Sequence, residues 1–486
     1  MLNKSKELFD SMANYDICYC HWKSNEHLKE GLDGDTDLDV LFDVAQKEII
    51  ESTLRKCDFM QCKSQYGSRY PDVDDWIGFD SNTGKLIHLH LHYKIVTGHK
   101  GMKEYRLPWS ELTLQTRIKD EETSVYIMEP NLEIVTLYTR IGLKASVKKL
   151  HAARKNLYKL SEDDSREITY LKKKVDWDTV SVLLNRYYFD DASVILDLMH
   201  NETIDSSNFL LLNKLASKRF AKNRKHGSVF CVLIKYYYIF AMRFLGVCKN
   251  KFGFNLISRK VKKNKKGAIV AFIGQDGSGK STVSNIIRDW WTWKMDAQKF
   301  YLGSGEHYSS WQKRLHNAIP QKKNFITKLL SAWLTLSDYV ALSKNVYNKV
   351  KRAEKYAEKG GLAIFDRFPQ IEYAGINDGP KIRSNYLNKI HNSIVRVYAL
   401  HCARVEEKFL KKAVVFAPNV VFKLMLSPEE SLKRKPEENI DVVRKKHEII
   451  KKMDFAKDES IVVDATMPFD DEIRLIKNRI WEYIQK

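Results

Sequence analysis

The 486-residue chain contains no Cys-x-x-Cys pair. Its seven cysteines (Cys18, Cys20, Cys57, Cys62, Cys231, Cys248 and Cys402) are odd in number and scattered. That excludes a disulfide scaffold or a thiolate zinc finger and points to reduced thiols in a cytoplasmic protein. No low-complexity tract, internal repeat or RNA-recognition signature is visible. Residues 1–12 are polar and mixed in charge, without the apolar stretch of a signal peptide. A clean membrane span is missing too. The longest apolar run, 229–248, is interrupted by Lys235 and Arg243, each costing about 2.5–3.5 kcal/mol near a bilayer centre. The two are eight residues apart and share a helix face. The expectation is an amphipathic helix, packed on a neighbouring domain or lying peripherally on the anionic inner face of a membrane.

What is present is positive charge, a formal net +21. It calls for an anionic partner, such as a nucleotide, a phosphorylated small molecule or glycan, or a lipid headgroup. With no nucleic-acid motif to support it, nucleic acid is disfavoured.

The pattern predicts a multidomain chain. Residues 1–125 read as an α+β domain: strand candidates at 17–22 and 36–42, the latter alternating as a half-buried strand does, and a hairpin at 76–95 turning at Gly84. Residues 126–228 read as helical. Residues 229–266 hold the amphipathic run and a basic linker, with eight Lys/Arg and no acid between 249 and 266. From 267 onward, strand candidates at 268–273, 362–365, 420–426 and 461–463 are separated by helical stretches. That alternation predicts an α/β domain with a parallel sheet and helices on both faces.

The strongest chemical signal follows the strand at 268–273. Gly274, Gln275, Asp276, Gly277, Ser278, Gly279, Lys280 and Ser281 satisfy G-x-x-x-x-G-K-[ST], and Thr282 opens a helix candidate. Glycines let the backbone approach phosphates, and the helix N-terminus adds positive potential. The pattern assigns Lys280 to the β- and γ-phosphates of ATP and Ser281 to Mg²⁺. At the end of the strand 362–365 stands Asp366, placed to hold Mg²⁺ through water, followed by Arg367, able to clamp an acceptor anion. A third element, the basic stretch around Arg434 with Arg444, Lys445 and Lys446, is a lid candidate.

Together these residues resemble the thymidylate-kinase-like P-loop kinases over the last ~220 residues. The resemblance implies an ATP·Mg²⁺-dependent phosphotransferase acting on a nucleoside monophosphate, dTMP in the family. It implies that Asp276 contacts the acceptor sugar, that Asp366 and Arg367 serve acceptor phosphate and metal, and that Arg434 stabilises the transition state. It also allows a homodimer. Three places depart from the pattern: 301–305 in place of Arg-x-Pro-Gly, Ser337-Asp338-Tyr339 in place of a base-facing Arg, and Pro369-Gln370-Ile371-Glu372 after the Asp-Arg pair. A sugar, polyol or glycan acceptor therefore stays open beside the nucleotide, as does a nucleotide-regulated protein at a membrane surface.

The N-terminal domain resembles the nucleotidyltransferase superfamily, through Lys23-Ser24-Asn25 followed by Asp37-Leu38-Asp39. Alternation puts Asp37 and Asp39 on one face, where both can hold a metal ion. Two-metal chemistry needs a third carboxylate on a neighbouring strand. There the sequence offers His88, His90 and His92, ligands suited to Zn²⁺ or Mn²⁺, with Asp80 near them in sequence.

Overall fold

The computed structural model describes residues 1–64, 70, 72–99, 102–225, 233–234, 237–238, 240–241, 244, 260–302, 325–373, 379–385, 387, 393–437 and 439–486. The chain divides into two compact units, Met1–Val261 and Lys262–Lys486.

In the first unit, strands β1 (Tyr19–His21), β2 (Leu38–Phe42), β3 (Met60–Lys63), β4 (Val73–Asp80) and β5 (Lys85–His92) form a mixed sheet. Their order is β3-β4-β5-β2-β1, continued by the short strands Tyr126–Ile127 and Ile118–Lys119. β4 and β5 make the antiparallel hairpin, and β5 runs parallel to β2 with His90 opposite Asp39. The expectation of a half-buried strand at 36–42 is corrected, because every residue of β2 is buried. The reason is coverage of both faces. Leu38, Val40 and Phe42 pack into one core with the helix Asn3–Asn14. Leu41, on the opposite face with Asp39, packs into a second core shared with the helical region. That core runs from Trp22 and Trp109 to Leu212 and Phe220, so sheet and helices are joined by common packing.

The helix Pro130–Leu143 is its centre. Pro130 stands at the first turn, where its missing N–H costs nothing, and the Glu129 carboxylate accepts from Leu132 N–H. From Leu132 to Leu143 every residue is buried, which an apolar sequence allows. Two ionisable side chains, Glu133 and Arg140, are buried with it, and burial pushes the Glu133 pKa up to about 8.

Of the run 229–248, only Leu233, Ile234, Tyr237, Tyr238, Phe240, Ala241 and Phe244 are among the described residues, and all are helical and exposed. The rest lies outside them, as does much of the basic linker. Among the described residues, no helix is long and apolar enough to cross a membrane.

The second unit holds a five-stranded sheet in the order Ala297–Phe300, Leu362–Phe365, Ala268–Gly274, Val420–Met425, Glu459–Asp464, every neighbouring pair parallel. The strand at 297–300 was not visible in the sequence. Three of its four residues are only partly buried, so it has no apolar run to reveal it. Ile269, Ala271 and Ile273 of the central strand share one core with Phe365, Val350 and Leu410. Packing next to Gly267 is tight: a Cβ there would lie 2.0 Å from the Gly361 carbonyl oxygen. The helix Phe325–Glu358 ends before Gly360, whose φ of +84° reverses the chain into the next strand.

Candidate functional site

Parallel strands bring their carboxyl ends to one edge, and ligands of open α/β sheets bind outside that edge. Gly274 ends the central strand, Asp366 follows the strand on one side, and Leu426 follows the strand on the other. The sequence motif thus sits at the centre of the edge. Gly277 and Gly279 have φ of +83° and +84°, which the loop needs to turn its N–H groups inward. The helix Lys280–Thr292 begins directly after, with Thr282 exposed in its first turn.

Lys280 is buried, and its Nζ donates to the carbonyls of Gly274 (2.9 Å) and Gln275 (2.6 Å). Burial pulls its pKa down to about 8, against the opposing pull of Asp276. Ser281 Oγ lies 3.4 Å from Asp366 Oδ2, joining the two expected metal residues. Asp366 is 2% exposed, and its other oxygen, Oδ1, is buried without a hydrogen-bond partner. The Oγ of Ser278 in the loop is likewise buried and unpartnered. Buried polar atoms of this kind are suited to receive a bound ion or a ligand's polar group. Gln275 ties the loop to the neighbouring strand end, with Oε1 accepting from Leu426 N–H (3.1 Å) and Nε2 donating to Leu426 O (2.8 Å).

Asp276 is not free at the loop. Lys446 of the helix Ile440–Lys452 donates to its Oδ2 at 2.9 Å. Burial raises the Asp276 pKa, but Lys446, Lys280 and Lys435 outweigh it and hold it below the usual value. Arg434, at the end of the helix Pro428–Arg434, donates to the Gly277 carbonyl and to the Ala465 carbonyl, each at 3.2 Å. Arg367 is partly buried and lowers the Lys280 pKa through space. The residues singled out in the sequence therefore meet in one place. One cation was missed. Lys299 reaches Asp366 Oδ2 (3.4 Å) and Asn285 Oδ1 (3.2 Å) from the unrecognised strand. Lys446, named in the sequence with the lid candidate, lies at the loop acid Asp276. Of the departures from the family pattern, residues 303–305 lie outside the described residues.

The first unit holds a second cluster. Asp37 lies immediately before β2, and Asp39 lies within it. Asp37 Oδ1 is 2.7 Å from His88 Nδ1, and Asp39 Oδ1 is 3.2 Å from His90 Nδ1 and 3.0 Å from His92 Nε2. The three histidines do share one face of β5 and do meet both aspartates. Asp80 is not with them: it ends β4 at the turn, accepting from Thr83 and Lys4. The third carboxylate is Asp75, five residues earlier, 3.0 Å from His88 Nε2 and 3.3 Å from His90 Nε2. The hairpin register puts Asp75 opposite His90, a pairing that no local pattern reveals.

No family model matches the chain. It is 23% identical over 221 residues to an Escherichia coli (strain K12) protein named "Uncharacterized ATP-binding protein YghR", covering 42% of this chain and 82% of that protein. It is 26% identical over 249 residues to "Probable thymidylate kinase 2" of Saccharolobus solfataricus, covering 45% of this chain and 98% of that one. A solved structure of deoxyadenosine kinase from M. mycoides, with products dCMP and a flexible dCDP bound, aligns at 18% identity over 44% of this chain and 98% of its own, with a TM-score of 0.28. Part of the chain is similar to thymidylate kinase. The similarity is low in identity and spans under half of the chain.

Proposed function

We propose that the second unit is an ATP-dependent phosphotransferase whose acceptor is a nucleoside monophosphate, with dTMP the first to test. The observation that carries this is the meeting of Lys280, Ser281 and a buried, half-unsatisfied Asp366 at the edge of a parallel sheet. The ATP-binding and thymidylate-kinase names of the relatives support it.

In this reading the loop N–H groups cradle the phosphates, and Lys280 exchanges its two loop carbonyls for phosphate oxygens. Mg²⁺, when held by Ser281 and, through water, Asp366, neutralises charge on the phosphates. Arg367 orients the acceptor's anionic group. Asp276 trades Lys446 for an acceptor hydroxyl, which frees Lys446 to face the transferring group. Arg434 and Gln275 hold the loop in shape through its backbone and its neighbouring strand. Catalysis is then positioning and charge stabilisation more than covalent chemistry.

The test is labelled ATP with the full chain, screened against nucleoside monophosphates and phosphorylated sugars. Transfer to a nucleoside monophosphate, lost by about 10³-fold or more in a folded Lys280→Ala variant, is the expected result. Transfer only to a sugar phosphate moves the acceptor to the alternative class. Transfer undiminished in Lys280→Ala overturns the reading.

A further inference from the structure

The cluster in the first unit has no part in the chemistry proposed for the second. A chain of alternating acids and imidazoles crosses three strands: Asp37, His88, Asp75, His90, Asp39, His92, each within 3.3 Å of the next. Either each proton bridges its neighbours and the network is complete as an ionic core, or part of it is a ligand set. Three observations favour a ligand set.

The first is spacing. A tetrahedral ion with bonds of roughly 2.0–2.2 Å sets its donors about 3.3 Å apart. Asp39 Oδ1 lies 3.2 Å from His90 Nδ1 and 3.0 Å from His92 Nε2, and one donor atom from each of the three residues lies within 4.8 Å of the others. The second is orientation. A metal-bound imidazole commonly gives its other N–H to a carboxylate. His90 Nε2 lies 3.3 Å from Asp75 Oδ1, and Asp75 is steadied in turn by His88. The third is access. Asp37 and Asp39 line a cavity of about 410 Å³ whose wall carries Lys23, Arg140 and Lys144 next to them and, further round, the carboxylates Glu30, Asp163, Asp164 and Glu167; Lys23 Nζ pairs with Asp39 Oδ2, which leaves Oδ1 to the histidines. Arg140 is 4% exposed, and its Nε is buried without a hydrogen-bond partner. Among the described residues its Nη1 reaches Glu167, at 3.4 Å, and the guanidinium lies over the Trp22 ring, 5.8 Å from the centroid. A buried guanidinium so weakly satisfied, on a cavity wall, is suited to an anionic ligand.

We propose that Asp39, His90 and His92 bind one divalent first-row transition-metal ion of the Zn²⁺ or Mn²⁺ class, with a fourth position open to the cavity and completed by an anionic oxygen such as phosphate. Asp75 is a positioning residue, acting through His90. Two imidazoles and one carboxylate select such an ion over Mg²⁺, which favours an all-oxygen shell. This set differs from the one the Asp37-x-Asp39 resemblance implies, in which both aspartates are ligands. Asp37 here pairs with His88, in a neighbouring group of Asp37, His88 and His90 whose donors also lie within 4.8 Å of one another; the Asp39 group is preferred because Asp75 orients His90 from behind.

The test uses the full chain, stripped with chelator and titrated with Co²⁺ in the absence of nucleotide, so that it stands or falls apart from the kinase reading. The expected result is one equivalent bound with the intense visible bands of a four-coordinate, nitrogen-ligated ion. Those bands should shift on adding inorganic phosphate. His92→Gln should abolish the bands, Asp75→Asn should weaken affinity by about 10–100-fold, and Asp37→Asn should weaken it less than Asp75→Asn does. Melting curves of the stripped variants separate loss of metal from loss of fold. Absent bands in the wild-type protein overturn the proposal. So do bands kept in His92→Gln and lost in Asp37→Asn, which would return the metal to the aspartate pair. Bands indifferent to phosphate overturn the anion at the fourth position.

Discussion

The two clusters are built in opposite ways from the same kinds of charge. In the second unit, eight consecutive residues make the loop, and cations from other elements close on it: Lys299 from a strand, Arg434 and Lys446 from two helices. In the first, residues from β2, β4 and β5 make the cluster, one lysine, Lys23, pairs with Asp39, and Arg140 and Lys144 sit on the cavity wall. A site written in one stretch survives as a pattern in sequence. A site written across a sheet exists only once the register is known. The second unit also meets its charges with backbone, through the loop carbonyls and helix start, whereas the first meets carboxylates with imidazoles.

The largest expected effect tests whether the two clusters work separately. Asp366→Asn keeps shape and size but removes the charge beside Ser281 and Lys299. Phosphoryl transfer should fall by about 10²–10³-fold, measured as kcat/KM with the wild-type acceptor. Co²⁺ bands from the first unit should stay unchanged. A transfer rate within about threefold of wild type would remove Asp366 from the chemistry.

How much of this was legible follows from that difference. Three strands of the parallel sheet announced themselves as apolar runs because they are buried on both faces, and the edge strand Glu459–Asp464, mostly only partly buried, showed through Ile461, Val462 and Val463. The fifth, at 297–300, reads Ala-Gln-Lys-Phe; it carries Lys299, so the missed strand and the missed cation are one omission. In the first unit the hairpin was visible through its turn, and the three histidines through their period of two. Asp75 was not, because its distance from Asp39 is set by two successive strand pairings rather than by any spacing along the chain. Asp80 looked better placed in sequence and is engaged at the turn instead. Arg140 was hidden for a different reason: a single charge in an apolar helix gives no sign of whether it faces a cavity.

A smaller effect compares the packing of the two units. A Cβ at Gly267 would lie 2.0 Å from the Gly361 carbonyl oxygen, with backbone on both sides of the contact. A Cβ at Gly78 would meet Cζ, the far end of the Phe59 side chain, at 2.5 Å, and a side-chain end can swing aside about χ1 more readily than backbone can move. Gly267→Ala should therefore destabilise its unit by about 3 kcal/mol and Gly78→Ala its own by about 1 kcal/mol, the two ends of the overpacking range. Denaturant midpoints followed by hydrogen exchange in each unit give the two values separately. Equal losses would mean that the backbone at Gly361 yields as readily as the ring does.

The smallest effect concerns pH and separates binding from stability within the second unit. The Lys280 pKa is pulled down to about 8 by burial, from an ordinary value near 10.5. Above pH 8 the folded protein without ligand loses this proton, while the unfolded chain keeps it up to about 10.5. The unfolded state then binds more protons, so unliganded stability should rise with pH between 8 and 10.5 and be lost as pH falls through 8. Binding has the opposite sign. Phosphate oxygens favour the charged lysine, so ATP binding above pH 8 must take up a proton. Affinity should fall by up to about tenfold per pH unit there, measured by calorimetry in two buffers of different ionisation enthalpy. Lys280→Arg, charged throughout, should bind with no such inflection. A wild-type affinity flat from pH 7 to pH 9.5 would mean that Lys280 stays on the carbonyls of Gly274 and Gln275 when nucleotide binds, and that the phosphates are held by the loop N–H groups without it.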